Sequence, residues 1–208
     1  MRIGLIGSGR IGGTLAQLAV RSGNEVVLSN SRGADSLTAL AKELGPLASA
    51  GSVAHAAETG EIVIVTIPLK AYATVPSDEL NGKIVVDTNN YYPDRDGRFS
   101  ELDDGSTTSS ELLAEHLGGS FVVKAFNTIY FEDLSNQPQA PGSPGRRALP
   151  IAGDDSAAKE AVAAMIDMFG FDVVDAGPLS EGWRFQPGTP AYNVRMTADE
   201  LSAALAAA

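Results

Sequence analysis

Arg2-Ile3-Gly4-Leu5-Ile6-Gly7-Ser8-Gly9-Arg10-Ile11-Gly12 opens the chain, and this stretch decides how the rest is read. Residues 2–6 form a short apolar strand pattern, and from Ile11 to Ser22 the apolar residues recur at helical spacing up to Gly23. The glycines at 7, 9 and 12 therefore stand between a strand and the start of a helix, in the order G-x-G-x-x-G. In that setting each has a separate task. Gly7 permits the tight turn, Gly9 lets backbone approach a pyrophosphate, and Gly12 allows the helix to pack closely on the strand. Phosphate charge would then sit over the unpaired N–H groups of the helix N-terminus.

The next strand, over 25–28, ends in Ser29-Asn30-Ser31-Arg32. Sites that take NAD place an Asp or Glu there, about 20 residues past the glycines, to hold the ribose 2′-hydroxyl. Here no carboxylate stands at the tip. Asn30 and Ser31 donate hydrogen bonds, and the Arg32 guanidinium suits a 2′-phosphate. Arg10, inside the glycine loop, is a second cation within reach of the same region. The expectation is NADP(H) rather than NAD(H).

Working outward, strand and helix patterns alternate. A helix is expected over 36–44, a short strand over 50–53, a helical turn over 55–58 and a buried β-branched strand over 61–66. A helix over 71–80 and a strand over 83–87 follow. Further expectations are a helix over 109–117, strands over 121–125, 148–152 and 171–175, a helix running to Phe169, and a short Ala-rich helix at the end. Residues 136–147, rich in Pro, Gly and Gln, read as a surface loop or a mobile lid. The alternation implies an α/β fold, a Rossmann-type doubly wound and mostly parallel sheet with a small C-terminal elaboration. No linker divides residues 1–208, so one domain is expected, with 120–208 forming its substrate-side portion.

Composition narrows the function classes. The chain has no cysteine, which removes disulfides, thiolate chemistry and Cys-based metal sites. Its formal net charge of −11 argues against nucleic acid and anionic membrane as partners. No apolar run has bilayer length and the first residues enter a strand directly, so a cytoplasmic protein is expected. Ten Arg against five Lys, with abundant Ala and Gly, is the usage of a GC-rich bacterial genome.

Strand-end loops hold the remaining candidates: Thr66-Ile67-Pro68, Thr88-Asn89-Asn90 and Phe126-Asn127-Thr128. No acid–base dyad is evident. His55 and His116 read as helix surface residues, Asp103-Asp104 as a turn and Asp154-Asp155 as a helix start, and Ser109-Ser110 and Lys159 lack a nucleophile-and-base context. No metal-ligand spacing occurs. Hydride transfer between two bound planar cofactors needs positioning and exclusion of water more than a protein acid. Reduction of a ketone or imine does need a proton donor, for which Tyr91, Tyr92 and Tyr130 are available. Trp183 fits either a substrate-stacking or a packed lid role.

Several segments together resemble the coenzyme F420-dependent NADP oxidoreductase family and the NADPH-binding domain of the STEAP metalloreductases. They are residues 2–12, Ser29-Asn30-Ser31-Arg32, Val63-Ile64-Val65-Thr66-Ile67-Pro68, Val123-Lys124-Ala125-Phe126-Asn127-Thr128-Ile129, Ile151-Ala152-Gly153-Asp154-Asp155 and Asp175-Ala176-Gly177-Pro178-Leu179. The resemblance implies NADP on Ser8, Arg10, Ile11, Asn30, Ser31 and Arg32. It implies the ribose and nicotinamide near Thr66, Ile67 and Pro68, and the ring junction near Ala125, Phe126, Asn127 and Thr128. It further implies coenzyme F420, or a flavin-like molecule, as the small-molecule partner in hydride transfer. Two other readings stay open: an NADPH-dependent reductase of a small imine, carbonyl or quinone, and a non-catalytic NADP(H) sensor. Apolar loops near Tyr91 and Phe131 suggest a homodimer.

Overall fold

The computed structural model describes all 208 residues. The elements run β1 (Arg2–Ile6), α1 (Arg10–Arg21), β2 (Glu25–Ser29), α2 (Thr38–Leu44), β3 (Ala48–Ala50), α3 (Val53–Thr59), β4 (Ile62–Val65) and β5 (Ile84–Asp87). Then come α4 (Pro93–Asp96), α5 (Ser100–Asp103), α6 (Ser109–Leu117), β6 (Phe121–Lys124), α7 (Phe131–Asn136), β7 (Ala148–Gly153), α8 (Ser156–Met168), β8 (Asp172–Asp175) and α9 (Ala198–Ala206). The strands form one sheet in the order β3-β2-β1-β4-β5-β6-β7-β8. β3 to β6 in that order are mutually parallel; β7 runs antiparallel to β6 and carries β8 parallel to itself. The fold is a Rossmann-like α/β sheet, as expected. The order reverses between β1 and β4, and the crevice at that switch point is where such sheets take ligands.

The two faces of the sheet follow the period of two along each strand. Ile3, Leu5, Ile62, Ile64, Val86 and Val123 face α1 and α8. Ile6, Val63, Val65, Val85 and Val122 face the other side, with Ala57 of α3 and Leu113 and Leu117 of α6. A smaller cluster joins Leu201, Ala204 and Leu205 of α9 to Phe185 and β7. α9 starts on a capping box between Thr197 and Glu200, which accounts for the Ala-rich helix seen in the sequence. No helix is long and apolar enough to cross a membrane.

Four expectations need correction. The third strand lies at Ala48–Ala50 rather than 50–53, because Ser52 accepts the His55 N–H at 3.0 Å and turns the chain into α3. The helix expected over 71–80 is two short three-ten turns, Leu69–Thr74 and Asp78–Leu80, with Pro76 between them. His116 is half-buried rather than a surface residue: its ring stands edge-on to Tyr72 and its Nε2 lies 2.8 Å from the Val75 carbonyl. Residues 138–141 border Leu18 and Arg21, at the end of α1 opposite the glycine loop, so this segment is no lid over the glycine-loop cleft. It is laced down: Gln139 N–H donates to Gly170 O at 2.9 Å, and Arg146 Nε to Gln139 O at 3.1 Å.

Arg146 and Arg147, at the entry to β7, are both buried. Arg146 pairs with Asp167 and Asp172, while Arg147 reaches Asp133, Gln137 and the carbonyl of Thr128. Burial alone would make Arg147 release its proton more readily, and Asp133 opposes that. Replacing Arg147 with Met keeps the bulk but leaves those acceptors unpaired. The expected loss is about 2–4 kcal/mol, set somewhat below the roughly 3–5 kcal/mol of a fully buried pair because Asp133 is partly exposed. Urea unfolding checks this, and a loss below about 0.5 kcal/mol would place the pair among inconsequential surface contacts.

Candidate functional site

Three strand ends meet at Gly7. Its N–H donates to Ser29 O at 3.0 Å, Ser8 Oγ donates to the same carbonyl at 3.0 Å, and Thr66 Oγ1 donates to Gly7 O. Gly7 has a φ of +100°, and a Cβ added there would strike the Thr66 carbonyl. A Cβ on Gly12 would strike Gly7 O, whereas a Cβ on Gly9 would meet nothing. The first and third glycines are thus required by the protein's own packing. The second leaves open space above α1, whose first turn carries no acidic residue and no side-chain cap. That open, positively biased helix end fits a pyrophosphate.

A cleft of about 540 Å³ lies above this junction, lined by Gly7, Ser8, Gly9, Asn30, Ser31, Arg32, Thr66, Ile67 and Pro68 with Ile6, Val53, Ala71 and Thr74. Nine of the sequence-derived candidates are therefore brought together. Asn30 shapes the tip after β2: its Oδ1 accepts the Arg32 N–H at 2.8 Å and its Nδ2 donates to Ser36 Oγ at 3.0 Å. Arg32 is exposed and no carboxylate lines the cleft, so nothing there repels an adenosine 2′-phosphate.

The other candidates lie around this cleft rather than on its wall. Gly12 is buried under the loop, and Ile11 packs on the core. Arg10 holds its guanidinium 5.1 Å from the ring centre of Phe131. Asn89 is buried, and its Oδ1 accepts the N–H of Ile67 at 3.1 Å, which fixes the strand-end loop of β4. Ala125, Phe126, Asn127 and Thr128 are buried too; Phe126 takes a φ of +60° and packs on Phe169. Asn127 Nδ2 donates to Phe185 O at 2.9 Å and Asn90 Oδ1 at 3.1 Å, tying this loop to the C-terminal segment. Among these candidates, Asn89 Nδ2 and Asn127 Oδ1 are buried without a partner.

The tyrosines proposed as proton donors are engaged elsewhere or open to solvent. Tyr91 donates to Asp103 at 3.0 Å, Tyr92 meets the Tyr192 hydroxyl, and Tyr130 is 58% exposed. Burial together with the Tyr92 hydroxyl raises the Tyr192 phenol far above its ordinary value. Tyr91 stacks edge-on with Phe99 and Phe131 lies under Arg10, so both loops offered for dimer contact have partners within the chain.

A polar cluster was missed by sequence reasoning. Asp87 and Lys124 end β5 and β6, are register partners, and are both buried on the α6 side. Lys124 Nζ donates to Ser109 Oγ and Ser110 Oγ, each at 3.1 Å, and to Asn89 O at 3.2 Å. Ser110 Oγ donates to Asp87 Oδ2 at 2.6 Å, and Asn89 N–H to Asp87 Oδ1 at 2.9 Å. Ser109-Ser110, read as lacking a nucleophile-and-base context, meet a buried carboxylate and a buried ammonium that the strand ends bring to the start of α6. Burial pushes the Asp87 carboxyl up and the Lys124 ammonium down, each opposed by the other's charge. The signal was available: a Lys inside Phe121-Val122-Val123-Lys124-Ala125-Phe126 cannot face solvent if its strand is central.

The model of the family described as "NADP oxidoreductase coenzyme F420-dependent" matches residues 2–91. A hypothetical protein of known structure from Sinorhizobium meliloti is 30% identical, with a TM-score of 0.81 and 94% of each chain covered. A candidate F420-dependent NADP-reductase from Arthrobacter, at 23% identity and a TM-score of 0.76, shares the fold over 88% of this chain and 87% of its own. Metalloreductase STEAP3 of Rattus norvegicus is 32% identical over 181 residues, 86% of this chain and 34% of its own. The chain spans about a third of the length of the curated relatives it matches.

Replacing Ser110 with Ala removes the one hydroxyl shared by Asp87 and Lys124. Leaving both buried groups short of a partner should cost about 1–3 kcal/mol, read from the urea midpoint at unchanged slope. An unaltered midpoint would mean that water replaces the hydroxyl without penalty.

Proposed function

Because the chain belongs to the coenzyme F420-dependent NADP oxidoreductase family, we propose that it binds NADP(H) along the cleft above Gly7 and exchanges hydride with a planar acceptor. Coenzyme F420 or a flavin-like ring is the acceptor class favoured. The single observation that carries the NADP(H) reading is the tip after β2, where Asn30, Ser31 and Arg32 share one cleft with Gly7 and Gly9 and no carboxylate intrudes.

In this reading the N–H groups at the start of α1 hold the pyrophosphate, and Arg32 with Ser31 holds the 2′-phosphate. Thr66, Ile67 and Pro68 line the path to the ribose and nicotinamide, and Asn89 keeps Ile67 in place. Ala125 to Thr128 lie buried behind the acceptor side, braced by Arg147 on Thr128 and by Asn127 on Phe185. NADPH, when bound, supplies the hydride. The protein's own contribution is to orient the ring and keep water away from it. The unpartnered Asn89 Nδ2 and Asn127 Oδ1 are amide groups of the kind that a carboxamide or a ring carbonyl would satisfy.

Two experiments test this. Arg32→Glu sets like charge beside the 2′-phosphate and should weaken NADPH binding at least about tenfold more than NADH binding. Equal losses, read by titration calorimetry, would remove the specificity argument. Oxidation of NADPH, followed by its nicotinamide absorbance, should proceed with coenzyme F420 or FMN as acceptor and be slow with NADH. Tight NADPH binding with no turnover on any acceptor would favour a sensor instead.

A further inference from the structure

The cofactor cleft draws on the ends of β1, β2 and β4 and leaves a second cavity unaccounted for. This space, of about 580 Å³, lies between the start of α6 and the turn Leu179–Phe185, and it shares no lining residue with the cleft above Gly7. Its volume falls within the roughly 300–1,000 Å³ that small-molecule pockets occupy.

Charge limits what this cavity can hold. Glu111 and Glu181 line it, and no Lys, Arg or His does. An anion would therefore meet two carboxylates and no cation. Nor does either carboxylate call for a cationic ligand: Glu111 Oε2 accepts the Thr108 N–H at 2.8 Å, and Glu181 pairs with Arg184. Behind the wall, Lys124 donates to Ser109 Oγ at 3.1 Å, and its charge is balanced by Asp87, its register partner. The fitting occupant is uncharged.

The wall at α6 supplies donors. The N–H groups of Ser109 and Ser110, in the first turn of this nine-residue helix, have no acceptor in the chain. Ser109 is only 6% exposed; its Oγ accepts from Lys124, and its own hydroxyl hydrogen has no acceptor. Buried polar groups of this kind call for a partner. Elsewhere on the wall, Ser180 and Gln186 add a hydroxyl and an amide, each able to donate and to accept. Lone pairs and O–H groups on neighbouring atoms satisfy such a set, and a hydroxylated ring carries both.

Two aromatic side chains supply flat surfaces. Arg184 covers one face of the Trp183 indole at 4.8 Å, yet the residue is still 38% exposed and lines the cavity. The Tyr91 hydroxyl is engaged by Asp103 and by the Phe99 N–H, so Tyr91 offers the cavity its ring rather than its oxygen. Such faces beside hydroxyl-binding groups suit a ring with an apolar face and a polar rim. We propose that this cavity is a second ligand site, separate from the cofactor cleft, for an uncharged hydroxylated ring of the sugar or nucleoside class. The ring stacks on Trp183, one of its oxygens accepts from Ser109 and the α6 N–H groups, and a neighbouring hydroxyl donates to Glu111 or Gln186. No electron or proton passes between this site and the cofactor, and its occupancy does not depend on NADP(H).

Trp183 is the only tryptophan and reports on the cavity directly. In the cofactor-free protein its fluorescence should change saturably with methyl β-D-glucopyranoside or with adenosine. Saturation by the first alone marks a sugar site and by the second alone a nucleoside site, and either supports the proposal. Glucose phosphate and AMP should bind at least about tenfold more weakly than their uncharged counterparts, because their phosphates face two carboxylates. Equal or tighter binding of the phosphate esters would overturn the uncharged class. No saturable change with any of the four would overturn the site itself. Ser109→Ala should weaken the probe that binds by about three- to tenfold, the effect of one lost hydrogen bond. Trp183→Leu, at a partly exposed position that does not threaten folding, should weaken it at least as much when binding is followed by saturation-transfer NMR. Unchanged affinity in both variants would place the ring outside this cavity and contradict the proposal.

Discussion

Gly7 holds the structure together at the switch point, because it is where β1, β2 and β4 are joined beyond their last ladder bonds. Its N–H is bound to Ser29 O and its carbonyl to Thr66 Oγ1, and its positive φ sends the chain into α1. A side chain at that position would collide with Thr66 and open the junction. The direction of α1, the empty space above Gly9 and the distance of Arg32 from the loop all follow from this clasp. Glycine takes that backbone conformation without steric cost, so the clasp needs no compensating strain elsewhere.

Beyond β4 the same edge is organised by a different force. Asp87 and Lys124 are withdrawn from water at the ends of adjacent strands, and every hydrogen bond they make goes to a loop or helix end that borders a cleft. A buried pair of this sort is weak as a source of stability, because desolvation offsets the attraction. Its value here is positional. It fixes Asn89, and through Asn89 the Ile67 peptide.

The sheet and its switch point were legible because they rest on periodicity and on glycines with separable tasks. The apolar run Ile62–Val65 and the Gly7, Gly9 and Gly12 spacing needed no tertiary information. The helix expected over 71–80 failed at Pro76, a local rule that the apolar spacing overrode in the reading. The segment around 136–147 is the loop its composition suggested, and only the lid alternative fails. Arg146 and Gln139 pin it to the far end of α1 and α8, and long-range pairing of that kind leaves no local trace. The polar cluster sat between these cases. Lys124 in a central strand was visible, but its partners Ser109, Ser110 and Asp87 come from three other segments, and only the parallel register of β5 and β6 brings them together.

The most direct measurement of the central claim is a crystal structure of the protein with NADP+. The account predicts the pyrophosphate over Gly9 at the start of α1, the 2′-phosphate on Arg32 and Ser31, and the nicotinamide beside Ile67 and Pro68. A cofactor bound outside this cleft, or one whose 2′-phosphate points away from Arg32 into solvent, would contradict it.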